Sequence, residues 1–232
     1  GEEAVGHARA AGDVPGSRAL TARHWYAYVG AGRIGTVRAW MRSFSDDQIA
    51  AHPLAAHCAA WAGALCGEPE LTHRWLPVID AAREAGPTPD GLVSLESSAA
   101  LLRGVYGFEG LRVMRESARR AVELETDPGS PWHSLAQAAY GFSLYLSGNL
   151  QSAAAALEEA VRSEWSASLI GVLAFSTLSL IAVERGDIAR ASELARTALS
   201  LAIEDEIDDV PQGSLAHTAT GAVQAAQGRL VE

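Results

Sequence analysis

Apolar residues recur along this chain with helical spacing. After Asn149, the residues Leu150, Ala153, Ala154, Leu157, Ala160 and Val161 stand at i, i+3, i+4, i+7, i+10 and i+11, which places them on one stripe of a helix. The pattern returns after Gly186-Asp187-Ile188 with Ala191, Ala195 and Ala198, and after Gly67-Glu68-Pro69 with Leu76 and Ile79. Charge sits off the stripe, as in Glu158/Arg162 and Glu116/Arg120 at i, i+4, where opposite charges support a helix. No segment alternates with the period of two that a half-buried strand needs. The pattern predicts helices over 2–11, 17–31, 33–43, 54–66, 69–85, 91–106, 109–124, 131–147, 150–164, 167–185, 188–204 and 212–227.

These helices come in pairs. Gly148 and Gly186 are 38 residues apart, Gly228 follows Gly186 by 42, and Gly32 precedes Gly67 by 35. Between Gly67 and Gly148 one copy is less regular, with Gly107 or Gly110 as its turn and Met114, Ala118 and Ala121 after it. A glycine at each turn ends one helix in a backbone conformation that a Cβ resists. The alanines then let the two helices of a hairpin approach closely. Ser130-Pro131 and Thr88-Pro89 each offer a cap residue before a first-turn proline. Ser45-Asp46-Asp47-Gln48 reads as a capping box, and Pro53 and Pro211 also suit helix starts. A period near 38 to 42 lies between the tetratricopeptide and HEAT/armadillo values. The turn glycine and the alanine spacing favour the tetratricopeptide side. The expected fold is all-α: a right-handed superhelical solenoid of tetratricopeptide-like antiparallel helix pairs, about six hairpins forming one domain over 1–232, with partial repeats at both ends.

Composition agrees and removes some functions. Hydrophobic residues make up 48% of the 232 positions, and the formal net charge is −10. All 18 basic residues are arginine, for the chain has no lysine. No basic cluster is present to displace counterions from phosphates, so direct nucleic-acid binding is not expected. Cys58 and Cys66 are the only cysteines. Eight residues apart on one helix they are separated by about 12 Å, too far for a bridge, and two reduced thiols suit a cytoplasmic protein. The stretch 166–183 is apolar enough to raise the question of a membrane span. Its serines, the Glu184-Arg185 that follows, and its register with the repeats favour a helix buried between neighbours. The sequence starts at Gly1 without methionine and ends at Glu232 in mid-repeat, so it reads as part of something longer.

The order of the segments carries a resemblance. Gly32-Arg33-Ile34-Gly35-Thr36-Val37-Arg38-Ala39-Trp40-Met41 runs into His52-Pro53-Leu54 and Ala59-Ala60-Trp61, followed by Gly67-Glu68-Pro69 and Arg74-Trp75-Leu76. That succession resembles the superhelical sensor region of MalT-like, ATP-dependent LuxR-family transcription regulators. The opening Glu3-Ala4-Val5-Gly6-His7-Ala8-Arg9-Ala10-Ala11-Gly12-Asp13 looks like the entry to that region. The resemblance spans essentially the whole chain. It implies a non-catalytic region that senses a small-molecule inducer or a protein or peptide partner, contacts an ATPase module and a DNA-binding module elsewhere in the regulator, and helps it to self-associate. Neither module lies in these residues. A phosphate loop of the form G-x-x-x-x-G-K-[S/T] needs a lysine, and no basic recognition helix follows. No cofactor is expected in this fragment. The alternative is a general tetratricopeptide scaffold that binds a peptide or protein outside transcription.

Candidate chemistry is sparse. Gly30-Ala31-Gly32-Arg33-Ile34-Gly35 matches G-x-G-x-x-G, but Ala50 stands where an acidic residue would complete a dinucleotide site. A turn between repeat helices is the better reading. His7, His24, His52, His57, His73, His133 and His217 never pair at i, i+3 or i+4 and lack the short spacings of a zinc site. No G-x-S-x-G or H-E-x-x-H is present. Glu204-Asp205-Glu206 with Asp208-Asp209 could attract a cation, though such runs are more often solvated loops. Groove-facing positions, transferred from tetratricopeptide arrays, fall on His57 and Trp61, on Arg103 and Tyr106, on Phe142 and Tyr145, and on Ser176. Aromatic faces with an arginine and a histidine could stack on and hydrogen-bond a sugar, nucleoside or peptide. Ordinary packing between hairpins is the competing explanation.

Overall fold

The computed structural model describes residues 2–82, 86–162, 169–204 and 213–228. Among them the chain is all-helical, with thirteen helices and no strand. The first six are α1 (Glu2–Ala10), α2 (Val14–Gly30), α3 (Ile34–Met41), α4 (Asp46–Ala50), α5 (Pro53–Leu65) and α6 (Pro69–Ala81). Then come α7 (Leu95–Tyr106), α8 (Leu111–Leu124), α9 (Pro131–Leu146) and α10 (Leu150–Ala160). The last are α11 (Leu169–Glu184), α12 (Ile188–Glu204) and α13 (Ser214–Ala226). None is long and apolar enough to cross a membrane. Asp205–Asp209 of the acidic run and Pro211 lie outside the described residues.

One turn recurs five times. Three residues separate α1 from α2, α2 from α3, α5 from α6, α9 from α10, and α11 from α12. In each, the middle residue is a glycine with φ between 70 and 78, the left-handed region that a Cβ makes costly. The residue after it donates its N–H five positions back. The bonds are Asp13 to Ala8, Arg33 to Tyr28, Glu68 to Gly63, Asn149 to Leu144 and Asp187 to Ala182, at 2.8–2.9 Å. That is the Schellman closure, which satisfies a carbonyl stranded at the helix end. At three of the turns the same residue also opens the next helix. The side chains of Asp13, Asn149 and Asp187 accept from the N–H groups of Gly16, Ser152 and Arg190. The irregular copy differs physically: four residues join α7 to α8, and both Gly107 and Gly110 take positive φ.

Small residues bring the paired helices together at positions twelve apart. Thr72 Oγ1 donates to the Ala60 carbonyl at 3.1 Å, and Ser179 Oγ donates to the Ala191 carbonyl at 2.8 Å. At the matching place in α9–α10, a Cβ on Gly141 would stand 3.1 Å from the Ala153 carbonyl and 2.6 Å from Leu157. Leucine and isoleucine fill the space beyond, as Leu157, Ile181 and Leu194 do in the core of α9 to α13.

Two helix starts differ from the sequence reading. The helix expected from residue 17 begins at Val14, since Asp13 caps it and Pro15 occupies its first turn. Thr88-Pro89 does not start a helix. Gly91 N–H donates to the Thr88 carbonyl, Gly91 has φ 95, and Leu92 N–H donates to Thr88 Oγ1. Pro-Asp-Gly makes a tight turn here, and α7 begins only at Leu95. Ser45 and Gln48 do form the full capping box, which opens the short α4 within the expected connection.

The single array expected over 1–232 divides by contacts into two compact units, Gly1–Leu102 and Arg103–Glu232, with the boundary inside α7. The first is built around Trp25, Trp61, Ile79, Leu92 and Leu95, all 5% exposed or less. In the second, α9 packs on α10 and α11, α8 on α9, and α11 on α12 and α13.

Candidate functional site

The seven groove candidates separate into buried and reachable groups. His57 and Trp61 lie in the first unit and are 1% and 3% exposed; Ser176, in the second, is 0% exposed. A ligand lying in a surface groove does not touch them as they stand. His57 and Trp61 face inward because helix α5 is apolar nearly all round, with ten of its thirteen residues buried, and Ser176 does so on α11, where ten of sixteen are buried. Arg103, Tyr106, Phe142 and Tyr145 are partly exposed. Arg103 pairs with Glu109 at 2.9 Å, and Tyr106 stacks on Phe108 with ring centres 5.4 Å apart. Tyr145 packs on the second core, and burial followed by its hydrogen bond to Glu184 pushes its phenol upward. Two clefts lie in the first unit, and none of the seven lines either.

His57 instead belongs to a buried polar chain that the sequence reading missed. His57 Nε2 lies 2.9 Å from Asp90 Oδ2, His57 Nδ1 lies 2.7 Å from Ser98 Oγ, and Trp61 Nε1 lies 3.0 Å from the same hydroxyl. One proton arrangement satisfies both imidazole nitrogens, the Ser98 hydroxyl and the Trp61 N–H. Trp61 N–H donates to Ser98, the Ser98 hydroxyl donates to Nδ1, and Nε2–H donates to Asp90. Trp25 meets the His57 ring edge-on at 5.3 Å. Burial works to raise the Asp90 carboxyl, but the hydrogen bond and electrostatic pull of His57, with help from Thr88, outweigh it and hold the carboxyl below its ordinary value. Burial and the Asp90 charge push the Tyr26 phenol up to about 12 and the Cys58 thiol well above its usual range.

An Asp-His-Ser sequence of contacts invites comparison with acyl-transfer triads. Here Ser98 is 0% exposed and its hydroxyl is shared with Trp61, so no carbonyl reaches it in this structure. The chain ties α5, α7 and the 88–92 turn together. Two features could have pointed to it: Pro-Asp-Gly as a turn signature, and two serines inside the apolar start of α7.

The cleft with the most chemistry lies between α3, α4, α5 and α6 and encloses about 260 Å³. Met41, Phe44, Ile49 and Trp75 form its apolar floor, each 7% exposed or less. Arg38 pairs with Glu68 at its edge, and Asp46 pairs with Arg74 at 2.8 Å. The Arg74 guanidinium lies 5.4 Å from the centre of the Trp75 ring, within cation–π range. Arg42 lines the cleft and makes no ion pair among the described residues. A second cleft, about 480 Å³, lies beyond Phe44 and is lined by Arg9, Ser17 and Gln48. Ser17 is 1% exposed and its hydroxyl has no partner.

No three His, Cys, Asp or Glu side chains among the described residues converge on a point that could hold a metal. Gly30 to Gly35 is the α2–α3 turn, preceded by helix and not by strand. Cys58 and Cys66 are both free thiols. Comparisons with family models, curated proteins and solved structures returned no match.

Proposed function

We propose that the chain is a ligand- or partner-sensing helical-repeat region of the MalT-like LuxR-family type, its hairpins stacked as a right-handed tetratricopeptide superhelix. The recurring three-residue turn carries this reading. Five turns with the same left-handed glycine and the same six-residue closure are what an array of one repeated unit produces. Small residues twelve apart at three hairpin seams support it further. In the second unit, packing of α9 on α11 and α8 on α9 is the contact pattern of adjoining hairpins.

Sensing requires that a ligand bind one shape of the region more tightly than another. The arginine-edged cleft in the first unit supplies a site where such a preference could arise. The expected partners are a small-molecule inducer or a protein or peptide, together with the ATPase and DNA-binding modules of the complete regulator. The decisive test is the reading frame that encodes the chain. It should hold a lysine-bearing phosphate loop before these residues and a helix-turn-helix after them. A frame with neither leaves a general scaffold for protein partners.

A further inference from the structure

We infer that the cleft between α3, α4, α5 and α6 binds a small monocarboxylate with an aromatic or branched aliphatic body. This gives the sensing reading a ligand class and depends on that reading for its biological role.

Charge, shape and size point the same way. Two arginines, Arg38 and Arg42, line the cleft together with Asp46 and Glu68, and Arg74 meets its edge through Asp46. Glu68 engages Arg38 and Asp46 engages Arg74, so among the described residues one positive charge, on Arg42, is left over. In a protein of net charge −10, a cation left unpaired beside an apolar floor selects a single negative charge. The planar guanidinium fork suits a carboxylate, which it can hold through two parallel hydrogen bonds.

Beneath this rim, Met41, Phe44, Ile49 and the Trp75 ring make a mainly apolar floor. Ala59, Ala62 and Gly63 on α5 keep the wall low. A cavity of about 150 Å³ already takes up benzene. The cleft, at about 260 Å³, therefore has room for a substituted ring or branched chain with its acid group. A sugar would leave most of its hydroxyls against carbon without partners, which is costly.

Calorimetry and tryptophan fluorescence with phenylacetate, benzoate and 4-methylpentanoate test the inference, with phenylacetamide as the neutral counterpart. Saturable binding of at least one acid is expected, with phenylacetamide weaker than phenylacetate by at least about tenfold. Arg42→Gln should weaken the acid by a similar factor. Arg42 is exposed and makes no ion pair among the described residues, so the variant should keep the parent melting temperature without ligand. The inference is overturned if no acid binds, if the amide binds as tightly as the acid, or if R42Q binds as tightly as the parent. It is also overturned if only a peptide with a free C-terminus is captured. Binding of the acids by a protein whose reading frame lacks the regulator modules would sustain the site and sink the sensing role.

Discussion

At the scale of the residue, His57 holds more of the first unit together than its place in the sequence suggests. Removing it takes from the Asp90 carboxylate, whose side chain is 1% exposed, the strongest of the groups that hold it, Thr88 remaining, a change that costs about 3–5 kcal/mol. Ser98→Ala should cost less, about 1–3 kcal/mol, because it strips a partner from two neutral groups. Urea unfolding of His57→Ala and Ser98→Ala checks both, and parent-like stability in His57→Ala would refute the role given to the chain. The same cluster sets a pH response with two signs. The Asp90 carboxyl is held below its ordinary value, so its contribution is whole above about pH 3.9 and is lost as the pH falls through the folded value. Tyr26 is raised to about 12, so its contribution is whole below about pH 10 and is lost as the pH rises toward 12. Tyr26→Phe should flatten the alkaline side of the stability profile and leave the acid side alone. A spacing rule borrowed from repeats picked out His57 and Trp61 without saying which way they face. Direction was illegible because α5 has no polar side to mark solvent.

Among the elements, helix boundaries were legible wherever a cap or a turn glycine announced them. Gly32, Gly67, Gly148 and Gly186 stand at the turns expected of them. The starts at Val14 and Leu95 were not read because Asp13 and the Pro-Asp-Gly turn act through side chains and backbone angles, not through hydrophobic period. Seam geometry makes a sharper prediction. Gly141 and Gly221 each precede a turn glycine by seven residues, yet a Cβ on Gly141 would meet Leu157 at 2.6 Å, while one on Gly221 would meet nothing within 4 Å. Gly141→Ala should therefore destabilise by about 1–3 kcal/mol. Gly221→Ala should stabilise by about 0.4–1 kcal/mol through the lost freedom of the unfolded chain. Thermal denaturation of the two variants decides the matter, and equal effects would mean the seam is looser than drawn.

For the whole molecule, the all-helical class was legible from period and composition alone, while the division into two units was not. That division depends on where contacts thin out, which no local pattern records. A compact globule of 232 residues has a radius of gyration of about 17 Å. A stacked superhelix should exceed that value clearly in solution scattering, and a measured radius near the globular one would count against the array. The three-residue turn also has a bearing on how such a chain can change length over evolution. At Asn149 and Asp187 a single residue terminates one rod and launches the next. Inserting one amino acid there would split the two duties and unhinge the pair. Lengthening is tolerable only in the joints between pairs, such as 42–52 and 125–130. The unequal intervals of 35 residues from Gly32 to Gly67 and 38 from Gly148 to Gly186 then fit growth confined to those joints, with these hinges kept at three residues.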